Sequence, residues 1–192
     1  MKEITEKQKN GGRRTAAVLA RIALFVVIIT VCSWTSIPYV VPFTLQTFAV
    51  FFVLTVLGGK YGTAAIAVYV VMGAVGVPVF SGFKGGFGAL AGVTGGYIFG
   101  FILSGLVYWA LPFKEKNCVF KVLACFIALL FCYACGSLWF WFVSEGALSA
   151  EGLLHALSVC VLPYIAVDII KIILAVLLGG KLKKLINGFT AF

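Results

Sequence analysis

Charge is scarce in this 192-residue chain, and acidic charge most of all: six Asp and Glu stand against 15 Lys and Arg. Histidine occurs once. Soluble domains carry about 25% charged residues; here the share is 11%, against 62% hydrophobic residues and a mean hydropathy of +1.13. A soluble chain so composed would expose large apolar patches and aggregate. The composition therefore excludes a soluble enzyme and a disordered chain. No G-x-x-x-x-G-K-S/T and no strand-borne G-x-G-x-x-G is present, so no phosphate-binding loop is read. The lone His155 has no G-x-S-x-G turn to serve: Ser81 sits in Val79-Phe80-Ser81-Gly82-Phe83, which breaks that pattern. Cys32, Cys118, Cys125, Cys132, Cys135 and Cys160 fall mostly in apolar runs, where thiols pack as small hydrophobes. Cys132-x-x-Cys135 lacks a second ligand pair and reads as packing, not as a metal or redox motif.

What remains is a polytopic membrane protein. A spanning helix needs roughly 20 apolar residues. Six spans use about 120 and leave about 70 for tails and loops, with no space for a separate soluble ATPase. Apolar runs are read at 15–37, 43–57, 63–77, 95–111, 119–143 and 153–178. They divide the chain into a basic tail at 1–14, a membrane domain at 15–180 and a basic tail at 181–192. The first run has the basic lead of a signal sequence, but it is long and lacks a small-x-small cleavage site, so it reads as a retained span. Arg21, two turns in, can snorkel to the headgroups.

The placement of charge orients the bundle. With the N-terminus inside, the two tails, the 58–62 turn and the 112–121 loop, with Arg21 counted at the end of the first span, hold 13 of the 15 Lys and Arg. Orientation follows this bias in short loops, so both termini are expected in the cytoplasm. The external connections hold Lys84, Glu145 and Glu151. Because the basic residues are shared among four segments and none forms a groove interleaved with aromatics, nucleic acid is excluded as a partner.

Three features could carry chemistry. Asp168-x-x-Lys171 lies inside the sixth apolar run, where a charge costs at least ~2.5–3.5 kcal/mol. Residues three apart share a helix face, and Tyr164 lies on it too. The pair either locks the helix to its neighbours or lines a polar substrate cavity; in the second case Lys171 suits a carboxylate and Asp168 suits N–H donors. The second feature is the stretch 80–97, rich in glycine and phenylalanine, with Phe80, Phe83, Lys84 and Tyr97. Irregular backbone at membrane depth is tolerated only where protein buries it or a cavity receives it, so this external loop is either a lid or a flexible linker. The third is Thr44 and Gln46 at the start of the second run; Gln46 offers both donor and acceptor, to a ligand or to another helix. Ala16-x-x-x-Ala20 is a small-residue pair of the kind that permits close helix packing.

Several stretches together resemble the BioY family, the biotin-specific substrate-binding (S) subunits of energy-coupling-factor (ECF) transporters. They are Val41-Pro-Phe-Thr-Leu-Gln-Thr-Phe48, Leu57-Gly-Gly-Lys-Tyr-Gly62, Gly73-Ala-Val-Gly-Val-Pro-Val-Phe-Ser-Gly-Phe-Lys-Gly-Gly-Phe-Gly88, Thr94-Gly-Gly-Tyr-Ile-Phe-Gly-Phe101 and Pro163-Tyr-Ile-Ala-Val-Asp168-Ile-Ile-Lys171. The resemblance covers residues 16–185 in order. Val93 departs from the Pro often found before Thr-Gly-Gly in the family. The resemblance implies an all-α, six-helix fold, biotin bound near the outer face, and a site including Asp168, Lys171 and the 79–94 loop. Gln46, Tyr97, Phe80 and Phe83 could add orientation and apolar walls, with Thr44, Lys84 and Tyr164 beside them. It also implies a transmembrane coupling subunit docking on Ala16 and Ala20, and two cytoplasmic ATP-binding subunits that use the ATP; the chain itself needs no cofactor, metal or catalytic residue. The expected location is a bacterial cell membrane, among lipid. The alternatives are a stand-alone carrier acting as a homo-oligomer, an S subunit for another vitamin, and an intramembrane enzyme, against which the lone histidine speaks.

Overall fold

The computed structural model describes residues 2–112, 117–145 and 150–189. The connections at 113–116 and 146–149, read from sequence as polar, lie outside the described residues. The elements run α1 (Lys2–Trp34), β1 (Ser36–Ile37), β2 (Phe43–Thr44), α2 (Gln46–Ala74), a 3-10 turn (Ser81–Phe83), α3 (Phe87–Ala91), α4 (Gly95–Ala110), α5 (Cys118–Glu145), α6 (Ala150–Cys160) and α7 (Leu162–Phe189). Four stretches are long and apolar enough to cross a membrane: Thr15–Trp34, Gln46–Ala74, Cys118–Ser144 and Glu151–Leu185. Gly95–Ala110 is a shorter apolar helix. The chain is a mostly helical, multi-pass membrane protein. Its outward faces agree with lipid as the solvent, since Leu19, Leu24, Val27 and Val31 of α1 are all at least half exposed.

α2 is a hairpin. Gly58 has φ 76° and ψ 173°, a conformation reserved almost entirely for glycine, and it breaks the helix there. The chain then reverses. The Gln46 side-chain amide donates to the Tyr69 hydroxyl at 3.0 Å, whereas residues 23 apart on a straight helix would be separated by about 34 Å. The 46–57 and 59–74 limbs pack so closely that a Cβ on Gly62 would stand 3.0 Å from the Leu54 Cα. The sequence reading of two apolar runs joined by a tight 58–62 turn matches this course, although the second limb starts earlier and ends earlier than 63–77.

Other boundaries shift for local reasons. The first helix stops at Trp34, before 37, because Ser36–Ile37 pairs antiparallel with Phe43–Thr44, Ser36 opposite Thr44. The 38–42 turn is thus the tip of a small β-hairpin, and the Thr44 hydroxyl accepts from the backbone N–H of Gln46 at the start of α2. Helix continues through both basic tails, from Lys2 and to Phe189; Lys, Glu, Gln and Leu all favour it. The sixth apolar run is two helices. Pro163 has no N–H to give to residue 159, so α6 ends at Cys160 and α7 begins at Leu162. The loop at 79–94 contains the 3-10 turn and α3.

The core runs along α2, with Val50, Phe51, Leu54, Ile66 and Tyr69 fully buried, and continues through Ile29 of α1, Tyr108 of α4, Leu129 of α5 and Ile172 of α7. Small residues bring α4 against α5: a Cβ on Gly100 would stand 3.0 Å from Cys132 Sγ, and one on Gly136 would overlap the Tyr97 ring. Ser104 Oγ ties the same two helices by hydrogen bonding the Ala128 carbonyl at 2.8 Å.

Candidate functional site

One face of α7 carries Tyr164, Asp168 and Lys171, spaced i, i+4 and i+7, and all three are buried. Lys171 Nζ lies 2.8 Å from Asp168 Oδ1. The other carboxylate oxygen, Oδ2, accepts from the Tyr133 hydroxyl of α5 at 2.7 Å. Asp168 is 3% exposed and Lys171 8%. Burying either charge alone would be very costly, and the pairing together with the Tyr133 hydrogen bond offsets much of that cost.

These groups open onto a cavity of about 670 Å³. The walls include Thr44, Gln46, Phe80, Phe83, Lys84, Tyr97, Tyr164, Asp168 and Lys171. All nine ligand-site candidates from the sequence are therefore brought together around one space, from four separate parts of the chain. Ala16 and Ala20 do not line it; they lie exposed on α1. The volume falls within the roughly 300–1,000 Å³ of small-molecule sites, and the mix of aromatic walls and a few polar groups is typical of them.

The irregular segments around the cavity are held by specific contacts. Ser33 Oγ and Tyr69 Oη both donate to the Val79 carbonyl, the latter at 3.1 Å, so the Gln46 amide, Tyr69 and Val79 form one chain of hydrogen bonds. Trp34 Nε1 donates to the Pro78 carbonyl at 2.8 Å. Phe80 is buried edge-on to Tyr69, with ring centroids 5.5 Å apart. It sits where a Cβ on Gly73 would overlap its ring. The Phe80 N–H donates to the Lys84 carbonyl at 2.9 Å, pinching the 3-10 turn into a tight loop. Inside that loop Phe83 has φ 58°, a strained value for a side chain of its size, and rests against Trp34 at 4.9 Å. At the far end Trp139 Nε1 donates to the Gly92 carbonyl at 2.9 Å. The 79–94 segment is thus pinned at both ends over the cavity and is not a free linker. The β-hairpin tip is fastened similarly: Tyr164 donates to the Val41 carbonyl and its ring stacks on Phe43 at 4.2 Å.

Sequence reasoning missed Tyr133, along with Phe101, Leu129, Cys132 and Cys160, which also line the space. Tyr133 is the one tyrosine in the fifth apolar run, and a buried carboxylate on another helix needs donors. That combination was the available signal. The thiol of Cys132 hydrogen bonds the Tyr97 carbonyl at 3.8 Å, and no metal-ligand cluster of His, Cys, Asp and Glu occurs among the described residues. His155 is exposed and lies outside the cavity lining.

The geometry defines a class: a helical membrane protein with a cavity of small-molecule size near one end of its helices, walled in part by a buried ion pair. Residues 5–188 match the BioY family, and the chain belongs to it. It is 42% identical over 168 residues to the biotin transporter BioY of Thermotoga maritima, covering 87% of this chain and 96% of that protein. To biotin transporter BioY2 of Lactococcus lactis it is 36% identical over 163 residues, covering 84% and 87%. The fold is similar to a crystal structure of the S-component for biotin from an ECF-type ABC transporter, with a TM-score of 0.77, 23% identity and coverage of 90% and 93%.

Proposed function

We propose that the chain is the biotin-binding S subunit of an ATP-driven uptake transporter. It is a transport protein and not an enzyme, as its family indicates. The observation that carries the reading is the meeting of the Asp168–Lys171 pair with Gln46 and Lys84 around a space of small-molecule size. Biotin offers a carboxylate, a ureido group with two donors and one acceptor, and an apolar sulfur-containing bicycle. Lys171 and Lys84 suit the carboxylate, Asp168 and Gln46 suit the ureido group, and Phe80, Phe83, Tyr97 and Tyr164 suit the bicycle. Within Asp168–Lys171 the charges balance, so the cavity's surplus is the positive charge of Lys84, which favours an anionic guest.

In this reading six helical passes cross the membrane: α1, the two limbs of α2, α4, α5 and the α6–α7 unit. Support comes from the reversal at Gly58. Both termini face the cytoplasm by the Lys and Arg bias, the 79–94 segment covers the external mouth, and the membrane is the bacterial cell membrane. A transmembrane coupling subunit docks on the exposed Ala16 and Ala20, and two cytoplasmic ATP-binding subunits drive reorientation and release. The deciding experiment is binding of labelled biotin to the purified chain in detergent, competed by thiamine and riboflavin. Saturable binding that neither competitor displaces is expected; a folded, monodisperse sample that binds no biotin, alone or with the coupling module, sinks the proposal.

A further inference from the structure

A second, smaller cleft lies at the other end of the bundle. Val18, Arg21 and Ile22 of α1, Val56, Leu57 and Tyr61 at the α2 hairpin bend, and Lys183 of α7 enclose about 240 Å³. Counting along α1 from Ser33 to Arg21 and along α7 from Asp168 to Lys183 puts it about 18 Å and 22 Å from the first site. Its composition is divided. Four of the seven walls are aliphatic, while Arg21, Lys183 and the Tyr61 phenol supply hydrogen-bond donors, and no acidic residue lines it. In volume it equals about eight liquid waters at roughly 30 Å³ each.

We propose that this cleft binds the phosphate-bearing headgroup of an anionic phospholipid, with the first carbons of the lipid against Val18, Ile22, Val56 and Leu57. Two cations from different helices converging on one space fit a phosphodiester better than any neutral headgroup, because charge-assisted bonds to phosphate are the strongest available here. Basic pockets between spanning helices on the cytoplasmic side take such headgroups as a class. A free phosphate would use the cations but leave the four aliphatic side chains without an occupant; a lipid uses both halves. The face is distinct from Ala16 and Ala20. Val18 and Ile22 repeat at i, i+4 and are half-buried against the bundle, whereas Ala16 and Ala20 are exposed on the outer side of the same helix. A bound lipid would cross-link α1, the hairpin bend and α7 without covering the small-residue face.

The test is native mass spectrometry of the delipidated chain in detergent, with added dioleoyl-phosphatidylglycerol or dioleoyl-phosphatidylcholine. The wild type should retain the anionic lipid about tenfold more than the zwitterionic one, in keeping with two cations near the headgroup. Arg21→Gln with Lys183→Gln should abolish that preference, and Val18→Trp, which fills the apolar half but keeps both charges, should abolish it too. Lys181→Gln with Lys184→Gln, two exposed neighbours, should preserve it, as should Arg21→Lys. Equal retention of the two lipids by the wild type overturns the proposal. So does an equal loss in the Lys181/Lys184 variant, which would reduce the effect to net charge. Competition by millimolar inorganic phosphate alone overturns the lipid assignment in favour of free phosphate. Size exclusion and thermal unfolding in detergent report the fold independently of biotin; if the double variant is not recovered folded, Arg21→Gln alone carries the comparison.

Discussion

The Tyr133 hydroxyl stands 2.7 Å from Asp168 Oδ2 and joins α5 to α7 at the wall of the cavity. With Lys171 on Oδ1 at 2.8 Å, each carboxylate oxygen already holds one donor from within the chain. A carboxylate has about four lone-pair sites. About two therefore remain without a donor from within the chain, on a carboxylate held by two different helices.

Tyr133→Phe keeps the ring and removes that donor. Hydrogen bonds to charged groups contribute about 1.5–3 kcal/mol. Biotin affinity should fall about tenfold or more by titration with labelled biotin, with little change in expression. Wild-type affinity in this variant would mean that Lys171 alone orients the carboxylate.

The ion pair separates stability from binding. Lys171→Met leaves Asp168 buried and uncompensated, a loss of about 3–5 kcal/mol in stability. Asp168→Asn combined with Lys171→Met removes both charges and should recover most of that loss in thermal unfolding, yet bind no biotin. A double variant that is stable and still binds with normal affinity would reduce the pair to a structural lock.

Gly73 and Phe80 form a matched set. Gly73→Ala inserts a methyl where the Phe80 ring lies, and such overpacking costs about 1–3 kcal/mol. Phe80→Leu should shrink the penalty of Gly73→Ala by at least about half, as expected for residues in contact. Melting curves of the two single variants and the double decide it; strictly additive losses would show that the methyl is accommodated elsewhere.

The outer face of α1 tests coupling. Ala16→Trp or Ala20→Trp leaves the cavity untouched, so biotin binding to the purified chain should stay within about twofold of wild type, as for surface changes generally. Cellular uptake should be lost. Uptake that persists in both variants would favour the stand-alone carrier.

Hydropathy and turn chemistry make the helical, multi-pass character of the chain readable from its sequence. The hairpin bend was visible because Gly58-Gly59 interrupts a long apolar run, and Asp168 and Lys171 stood out because ionisable residues are rare at membrane depth. Other features are written only in tertiary contacts. Tyr133 looks like any aromatic in an apolar helix until α5 packs beside α7. The pinning of the 79–94 segment depends on Ser33, Trp34, Tyr69 and Trp139, whose donors find carbonyls 10 to 47 residues away; glycine content alone left lid and linker undecided. Helix ends shifted where pairing or Pro163 intervened, since hydrophobic runs mark what is buried or lipid-facing and not where the hydrogen-bond ladder stops.

Asp168 and Lys171 are one turn apart on the same helix, and this has a consequence for biogenesis. Their attraction needs no other part of the protein, so the apolar part of α7, from Leu162 to Gly180, carries no net charge even before it packs against α5. A carboxylate and an ammonium on separate helices would each enter lipid unmatched, at ~2.5–3.5 kcal/mol apiece. Tyr133 adds its hydrogen bond only where α5 packs beside α7, so the charge balance is local to one helix while the full set of partners is not.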